Sequence, residues 1–158
     1  MGSNIKSILL VCTGNSCRSV MAEGLFKKYL KEAGKGDIKV TSAGVVAMDG
    51  FAPTDETIEV MRGQGVDVSG IKSRRLTREI IKMSDLILVM EDVHKDFVLR
   101  LVPEAASKAH LLKKFGAYNT RRYPEGADVP DPIGKPIDFY KLSLQIIKEE
   151  TKRVVSLL

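Results

Sequence analysis

Little in this sequence suits a metal centre, a disulfide scaffold or a membrane span. Of 158 residues only two are cysteine and two histidine, and tryptophan is absent. The two cysteines, five residues apart with no histidine beside them, fit neither a zinc site nor a secreted disulfide framework. A reduced, cytoplasmic setting is the simplest expectation. No apolar run approaches membrane-spanning length, and the N-terminus lacks the basic-then-apolar plan of a signal peptide. We give Met1, Gly2 and Ser3 no structural weight. Aromatics are scarce, four tyrosines and five phenylalanines, and they are not interleaved with the basic residues. Nucleic acid is therefore not an expected partner, nor is a membrane.

The chain has the length of one domain, and 44% hydrophobic content suffices for one core, so a single domain over 1–158 is expected. Net charge is a moderate +5. Lys72, Arg74, Arg75 and Arg78 form one basic cluster, and Lys113, Lys114, Arg121 and Arg122 another. Such runs are usually solvated faces, but they also raise the encounter rate with anionic partners. Oligomeric state is not legible.

One stretch organises the rest, Ile8 to Ser19. The run Ile8-Leu9-Leu10-Val11 predicts a fully buried strand. It ends at Cys12, and the small polar turn Thr13-Gly14-Asn15-Ser16 follows. Cys17-Arg18-Ser19 then leads into a helix whose apolar face carries Met21, Ala22, Leu25, Phe26, Tyr29, Leu30 and Ala33. Strand, polar loop and helix start together make an anion site. The first amides of a helix lack intrahelical partners, and the helix dipole adds partial positive charge there. Gly14 and Asn15 are the residue types that most readily adopt the left-handed conformations of such a curl. Arg18 supplies a planar fork for two oxygens of a tetrahedral oxyanion. Cys12, at the base, is placed where a thiolate is favoured, and a thiolate facing phosphorus is a nucleophile. A cysteine ending a buried strand is otherwise often core filler. The glycine, asparagine, arginine and helix around this one favour chemistry.

Val11-Cys12-Thr13-Gly14-Asn15-Ser16-Cys17-Arg18-Ser19 resembles the phosphate-binding loop of the low-molecular-weight protein tyrosine phosphatases, and the match runs on through Met21-Ala22-Glu23. Thr41-Ser42-Ala43-Gly44, the segment Ser84 to Met90, and Asp131-Pro132 fall where that family has similar residues. The resemblance implies a phosphatase of phosphorylated protein side chains, acting through a phosphocysteine and needing no metal or cofactor. It implies Cys12 as nucleophile, Arg18 as oxyanion holder and Asp131 as general acid. Thr13, Gly14, Asn15, Ser16, Cys17 and Ser19 form the loop around phosphate or other oxyanions, and Ile133 sits at the substrate rim. Ser19 is implied to hydrogen-bond the Cys12 sulfur, and Asn15 to brace the loop. Cys17 has two readings: it packs under the loop, or it traps an oxidised Cys12 as a disulfide.

The remaining chain predicts alternating strands and helices. Ile38 to Thr41 reads as a short strand, followed by small residues suited to a close backbone pass. Pro53-Thr54-Asp55-Glu56 starts a helix with Ile58 and Met61 on its apolar stripe, ended by Gly63 and Gly65. Thr77 to Lys82 is a short helix, Asp85 to Met90 a buried strand, and Asp92 the cap of a helix through Leu101. Ala109 to Leu112 is a last strand. His110 within it, and His94 on the expected helix surface, read as structural or solvent-facing. From Tyr118 to Pro136 the chain is irregular, as functional loops of this length often are. Asp138 reads as the cap of a final helix whose inward face is Phe139, Leu142, Ile146, Val154 and Leu157. Together these predict an α/β fold, about four parallel strands with helices on both faces. Ligands then bind beyond the strands' carboxyl ends, where Cys12 lies.

The leaving group needs a proton donor from outside the loop. Asp131, held extended between Pro130 and Pro132, is the candidate, with Asp128 as competitor. The chain departs from phosphotyrosine-directed members in having Ile133 and Gly134 rather than aromatics after Asp131-Pro132, and Ser16 rather than a bulky aliphatic before Cys17. Members directed at phosphoarginine are more similar at both points, so phosphoarginine is slightly favoured over phosphotyrosine. Ile71 stands where animal members often have a histidine supporting the loop asparagine. Two alternatives are a thiol-dependent arsenate reductase, for which two cysteines are few, and a non-catalytic phosphoprotein-binding module, which would not need both nucleophile and acid.

Overall fold

A computed structural model describes residues 4–116 and 126–158. Met1 to Ser3, the first part of the predicted irregular loop and the basic pair Arg121 and Arg122 lie outside the described residues. Four parallel strands form one sheet: β1 (Ser7–Cys12), β2 (Lys39–Gly44), β3 (Leu86–Val89) and β4 (Ala109–Leu111), in the order β2-β1-β3-β4. The helices are α1 (Arg18–Glu32), α2 (Asp55–Arg62), α3 (Arg78–Met83), α4 (Asp92–Leu101) and α5 (Ile137–Leu157), with a 3-10 turn at Pro103–Ser107.

β1 is a continuous apolar run because both of its faces are covered. Ile8, Leu10 and Cys12 join Leu25, Phe26, Met61, Tyr140 and Ile147 from α1, α2 and α5 in one core. Leu9 and Val11 join Ile81 of α3 and Val98 of α4 in the other. Thr54 caps α2 and Thr77 caps α3, each accepting from the backbone N–H three residues on.

The strand order places the site. From β1 the chain goes to β2 on one side and returns to β3 on the other, so the loops after β1 and β3 diverge around a crevice at the carboxyl ends. β2 closes the other flank: Cys12 is in register with Gly44. A Cβ on Gly44 would lie 2.6 Å from Thr13 O and 2.8 Å from Asn15 N, so only glycine lets β2 pass the loop so closely.

Several local expectations are corrected. Glu91, not Asp92, is the residue before α4, and Asp92 is its first helical residue. Pro136 precedes α5, which leaves Asp138 in the first turn, where a carboxylate meets the helix dipole. The buried face of α5 is Tyr140, Ser143, Leu144, Ile147, Glu150, Thr151, Val154 and Val155. Of the expected face only Val154 is fully buried; Phe139, Leu142 and Leu157 are exposed and Ile146 is half-buried. Ala33 lies past the end of α1 and is exposed. His110 is half-buried and packs against Phe115 with ring centroids 5.3 Å apart.

Candidate active site

Residues 13–17 join the end of β1 to the start of α1 in a tight curl. Asn15 takes the left-handed conformation, φ 53°; Gly14, expected to share it, does not. No side chain caps α1 at Cys17, so the amides of its first turn have neither an intrahelical nor a capping partner. Cys12, Thr13, Gly14, Ser16, Cys17 and Arg18, with Asp131 and Ile133 opposite, line a cavity of about 140 Å³. Asn15 and Ser19, expected among the binding residues, stand behind this lining.

Behind it they form a directed chain of hydrogen bonds. Asn15 Nδ2 donates to Ser19 Oγ at 2.8 Å and to Ser42 Oγ at 2.9 Å. Ser42 in turn donates to the Glu23 carboxylate at 2.6 Å, and Glu23 is paired with Lys27. Ser19 Oγ is also hydrogen-bonded to Cys12 Sγ, 2.9 Å away, and against a thiolate, which has no hydrogen of its own, Ser19 is the donor. Arg74 N–H donates to Asn15 Oδ1 at 2.8 Å. With isoleucine at position 71, these bonds to Ser42, Ser19 and the Arg74 backbone hold Asn15. Glu23 and Ser42 lie in segments that carry the family resemblance, but the sequence assigns them no role. A carboxylate one helical turn past Ser19 is the signal, and its burial appears only in the structure.

Arg18 is 1% exposed. Its Nη1 donates to Glu91 Oε2 at 2.6 Å and to the Val129 carbonyl at 2.9 Å. Nη2 lies 3.3 Å from Asp131 Oδ2 and 3.4 Å from Thr13 Oγ1. The expected two-armed grip is thus modified: Nη1 is committed to protein acceptors, and the Nη2 side of the fork faces the cavity.

His94 requires a larger correction. Far from being on a helix surface, it is completely buried, with Nε2 2.9 Å from Thr13 Oγ1 and Nδ1 accepting from Glu91 N–H at 3.1 Å. Burial, reinforced by the Arg18 charge, pushes its pKa down to about 4 against the opposing pull of Glu91, Asp128 and Asp131. Glu91 and His94 were legible only through topology, since they follow β3 at the edge of the crevice.

The Asp131 segment is pinned at Val129 and Pro130. Val129 N–H bonds Met90 O at 2.8 Å, and Ser143 Oγ donates to Pro130 O at 3.0 Å. Asp131 Oδ1 accepts from Ile133 N–H at 3.1 Å, which turns Oδ2 toward Arg18. Asp128 points elsewhere: its Oδ1 accepts from Asp92 N–H at 2.9 Å, at the start of α4.

Cys17 is buried, with Ser16 Oγ and Thr54 Oγ1 each 3.6 Å from its sulfur and Tyr140 Oη at 3.8 Å. Burial pushes the Tyr140 phenol up to about 12. Both cysteines are free thiols. Among the described residues no group of histidine, cysteine, aspartate and glutamate is arranged to hold a metal, and no helix is long and apolar enough to cross a membrane.

Residues 7–158 match the family model of low molecular weight phosphotyrosine protein phosphatases. A probable low molecular weight protein-tyrosine-phosphatase, EpsP of Ralstonia nicotianae, is 31% identical over 91% of this chain and 90% of its own length. The protein-arginine-phosphatase of Bacillus subtilis is 33% identical over 90% of this chain and 89% of its own. The structure of Vibrio vulnificus Wzb in complex with benzylphosphonate superposes with a TM-score of 0.85 at 30% identity, covering 98% of this chain and all of that one. The chain belongs to the low-molecular-weight protein tyrosine phosphatase family and is a cysteine-dependent protein phosphatase.

Proposed function

We propose that this phosphatase takes phosphoryl groups from protein side chains onto Cys12, and that phosphoarginine is slightly preferred to phosphotyrosine. The observation that carries the chemistry is that Cys12, Arg18 and Asp131 line one cavity of about 140 Å³. At about 30 Å³ per water molecule, that space suits a phosphoryl group and the first atoms of what it leaves.

In the proposed first step Cys12 thiolate attacks phosphorus, the bond to the leaving atom breaks, and Asp131 donates its proton to that atom. In the second, water attacks the phosphocysteine while Asp131 takes the water's proton, releasing inorganic phosphate and the thiolate. Loop amides and Arg18 Nη2 stabilise the equatorial oxygens in both steps. The incoming dianion replaces Asp131 at Nη2, so the Arg18–Asp131 ion pair at 3.3 Å opens as substrate binds. Ser19 and Asn15 hold sulfur and loop in place. Inorganic phosphate and similar oxyanions bind the same cradle as competitors.

Support for the specificity comes from the rim. Ser16 places a hydroxyl beside the leaving group, and Ile133, half exposed across the cavity, offers no ring for stacking. A guanidinium brings N–H donors that need acceptors, whereas a phenol does not. The likeness to the B. subtilis arginine phosphatase supports the same side, and the likeness to EpsP the other.

Hydrolysis of p-nitrophenyl phosphate by the intact chain tests the chemistry. Cys12→Ser is expected to abolish turnover while retaining phosphate binding; retained turnover defeats the assignment. Phosphoarginine and phosphotyrosine peptides of one sequence, compared by kcat/KM, test the specificity. A clear excess for phosphotyrosine sinks that half of the proposal.

A further inference from the structure

Behind the cradle wall, the hydrogen-bond directions around His94 leave one hydrogen unassigned. Glu91 N–H donates to Nδ1, so Nδ1 carries a lone pair and the ring's proton is on Nε2. Nε2–H therefore donates to Thr13 Oγ1 at 2.9 Å. Arg18 Nη2 approaches the same oxygen at 3.4 Å, also as a donor. A hydroxyl has two lone pairs and one hydrogen. With both lone pairs facing donors, the Thr13 hydrogen is left for the cavity that Thr13 lines.

We propose that His94 is a positioning residue that holds Thr13 Oγ1 as an acceptor, so that the Thr13 hydroxyl is presented as a fixed hydrogen-bond donor to the bound phosphoryl group. The inference rests on the reading of residues 12–19 as a phosphoryl site. Without His94, Thr13 can turn its hydrogen toward any nearby acceptor, and part of its donation is lost at the moment charge develops on the oxyanion. A cationic ring would set Nδ1–H against Glu91 N–H, and the low pKa of the buried ring keeps it neutral at ordinary pH. Glu91 thus orients two donors at once. Its carboxylate grips Arg18, and its backbone fixes the tautomer of His94.

The test compares Thr13→Val, His94→Phe and the double variant, assayed on p-nitrophenyl phosphate with inorganic phosphate as competitive inhibitor. Each single change is expected to lower kcat about tenfold to a hundredfold, the range for one hydrogen bond to a charged group. The double variant should then lose far less than the product of the two single losses, because the effect of His94 on kcat passes through Thr13. Losses that multiply, or a His94→Phe enzyme with unchanged kcat, overturn the proposal. Should His94→Phe fail to fold, imidazole 15N shifts of the wild-type protein decide: protonated Nε2 with bare Nδ1 from pH 5 to 8 is expected, and the other tautomer or a cation overturns it. A wild-type chain that does not turn over the phenyl ester defeats the phosphoryl-site reading itself. An active wild type with an indifferent His94 defeats only this inference.

Discussion

The cradle at residues 12–19 and the segment at 126–136 meet across one cavity but are held in opposite ways. The cradle is short in sequence and tied from all sides: Ser42 and the Arg74 backbone grip Asn15, Glu91 grips Arg18, and His94 reaches Thr13. Its bracing side chains are buried, Asn15 and Arg18 to 1% exposure and Ser19 to none, while Thr13 and Ser16 at the cavity are half-buried. The acid segment has a buried anchor at Val129 but leaves Asp131 half-buried and Ile133, Gly134 and Lys135 exposed. A group that must keep a fixed electrostatic arrangement is placed in the rigid part. The group that changes protonation in the proposed mechanism is placed on the more exposed part.

The largest expected break in this contrast is Asp131→Asn. It should cut kcat for p-nitrophenyl phosphate by about a hundredfold to a thousandfold, the size of a general-acid contribution, with phosphate affinity nearly kept. Asp128→Asn, by contrast, should leave the rate within a few-fold, because Asp128 is bonded at the start of α4. Equal losses at the two aspartates would erase the distinction drawn between them.

On the cradle side, Asn15→Ala removes three hydrogen bonds, two of them buried, and leaves alanine in a left-handed conformation. The expected result is about 2–4 kcal/mol of lost stability together with a tenfold or greater loss of kcat. Denaturant unfolding and initial rates measure the two. Glu23→Gln should act in the same direction but less strongly, since it touches the sulfur only through Ser42, Asn15 and Ser19.

The smallest effect is one of pH. His94 binds its proton at about pH 4 in the folded chain, against an ordinary value of 6.5. Below pH 6.5 the unfolded chain therefore takes up a proton that the folded chain refuses, and stability falls as pH drops toward 4. The loss is at most about 3 kcal/mol, and it levels off below pH 4, where both states are protonated. Thermal unfolding between pH 7 and 4 should show this slope in the wild type and a shallower one in His94→Phe.

The two halves of the site also differed in legibility. Cys12 to Ser19 could be read directly because a strand, a turn and a helix start are local features, and their anion-binding property follows from backbone geometry alone. Asp131 could be nominated, but the contacts that set it apart from Asp128, one carboxylate meeting Arg18 and the other the Asp92 N–H, appear only in the fold. His94 reads as structural or solvent-facing because it has no partner nearby in sequence, and only the fold shows it to be buried. The first turn of α4 abuts the loop after β1. The inward face of α5 was misplaced because Phe139 and Leu142 remain exposed while Ser143, Glu150 and Thr151 are buried. An apolar side chain at the surface costs little, so its position does not define a face.

Residue order alone determined the strand–loop–helix cradle, the alternation of strands and helices, and the pairing of a thiol with an arginine at a helix start. All of these rest on neighbours in the chain. The sheet order β2-β1-β3-β4 decided the rest. It brings Glu91 and His94 against the cradle from one side and Ser42 and Gly44 from the other. Contacts between loops distant in sequence depend on which strands lie side by side, and no local spacing encodes that.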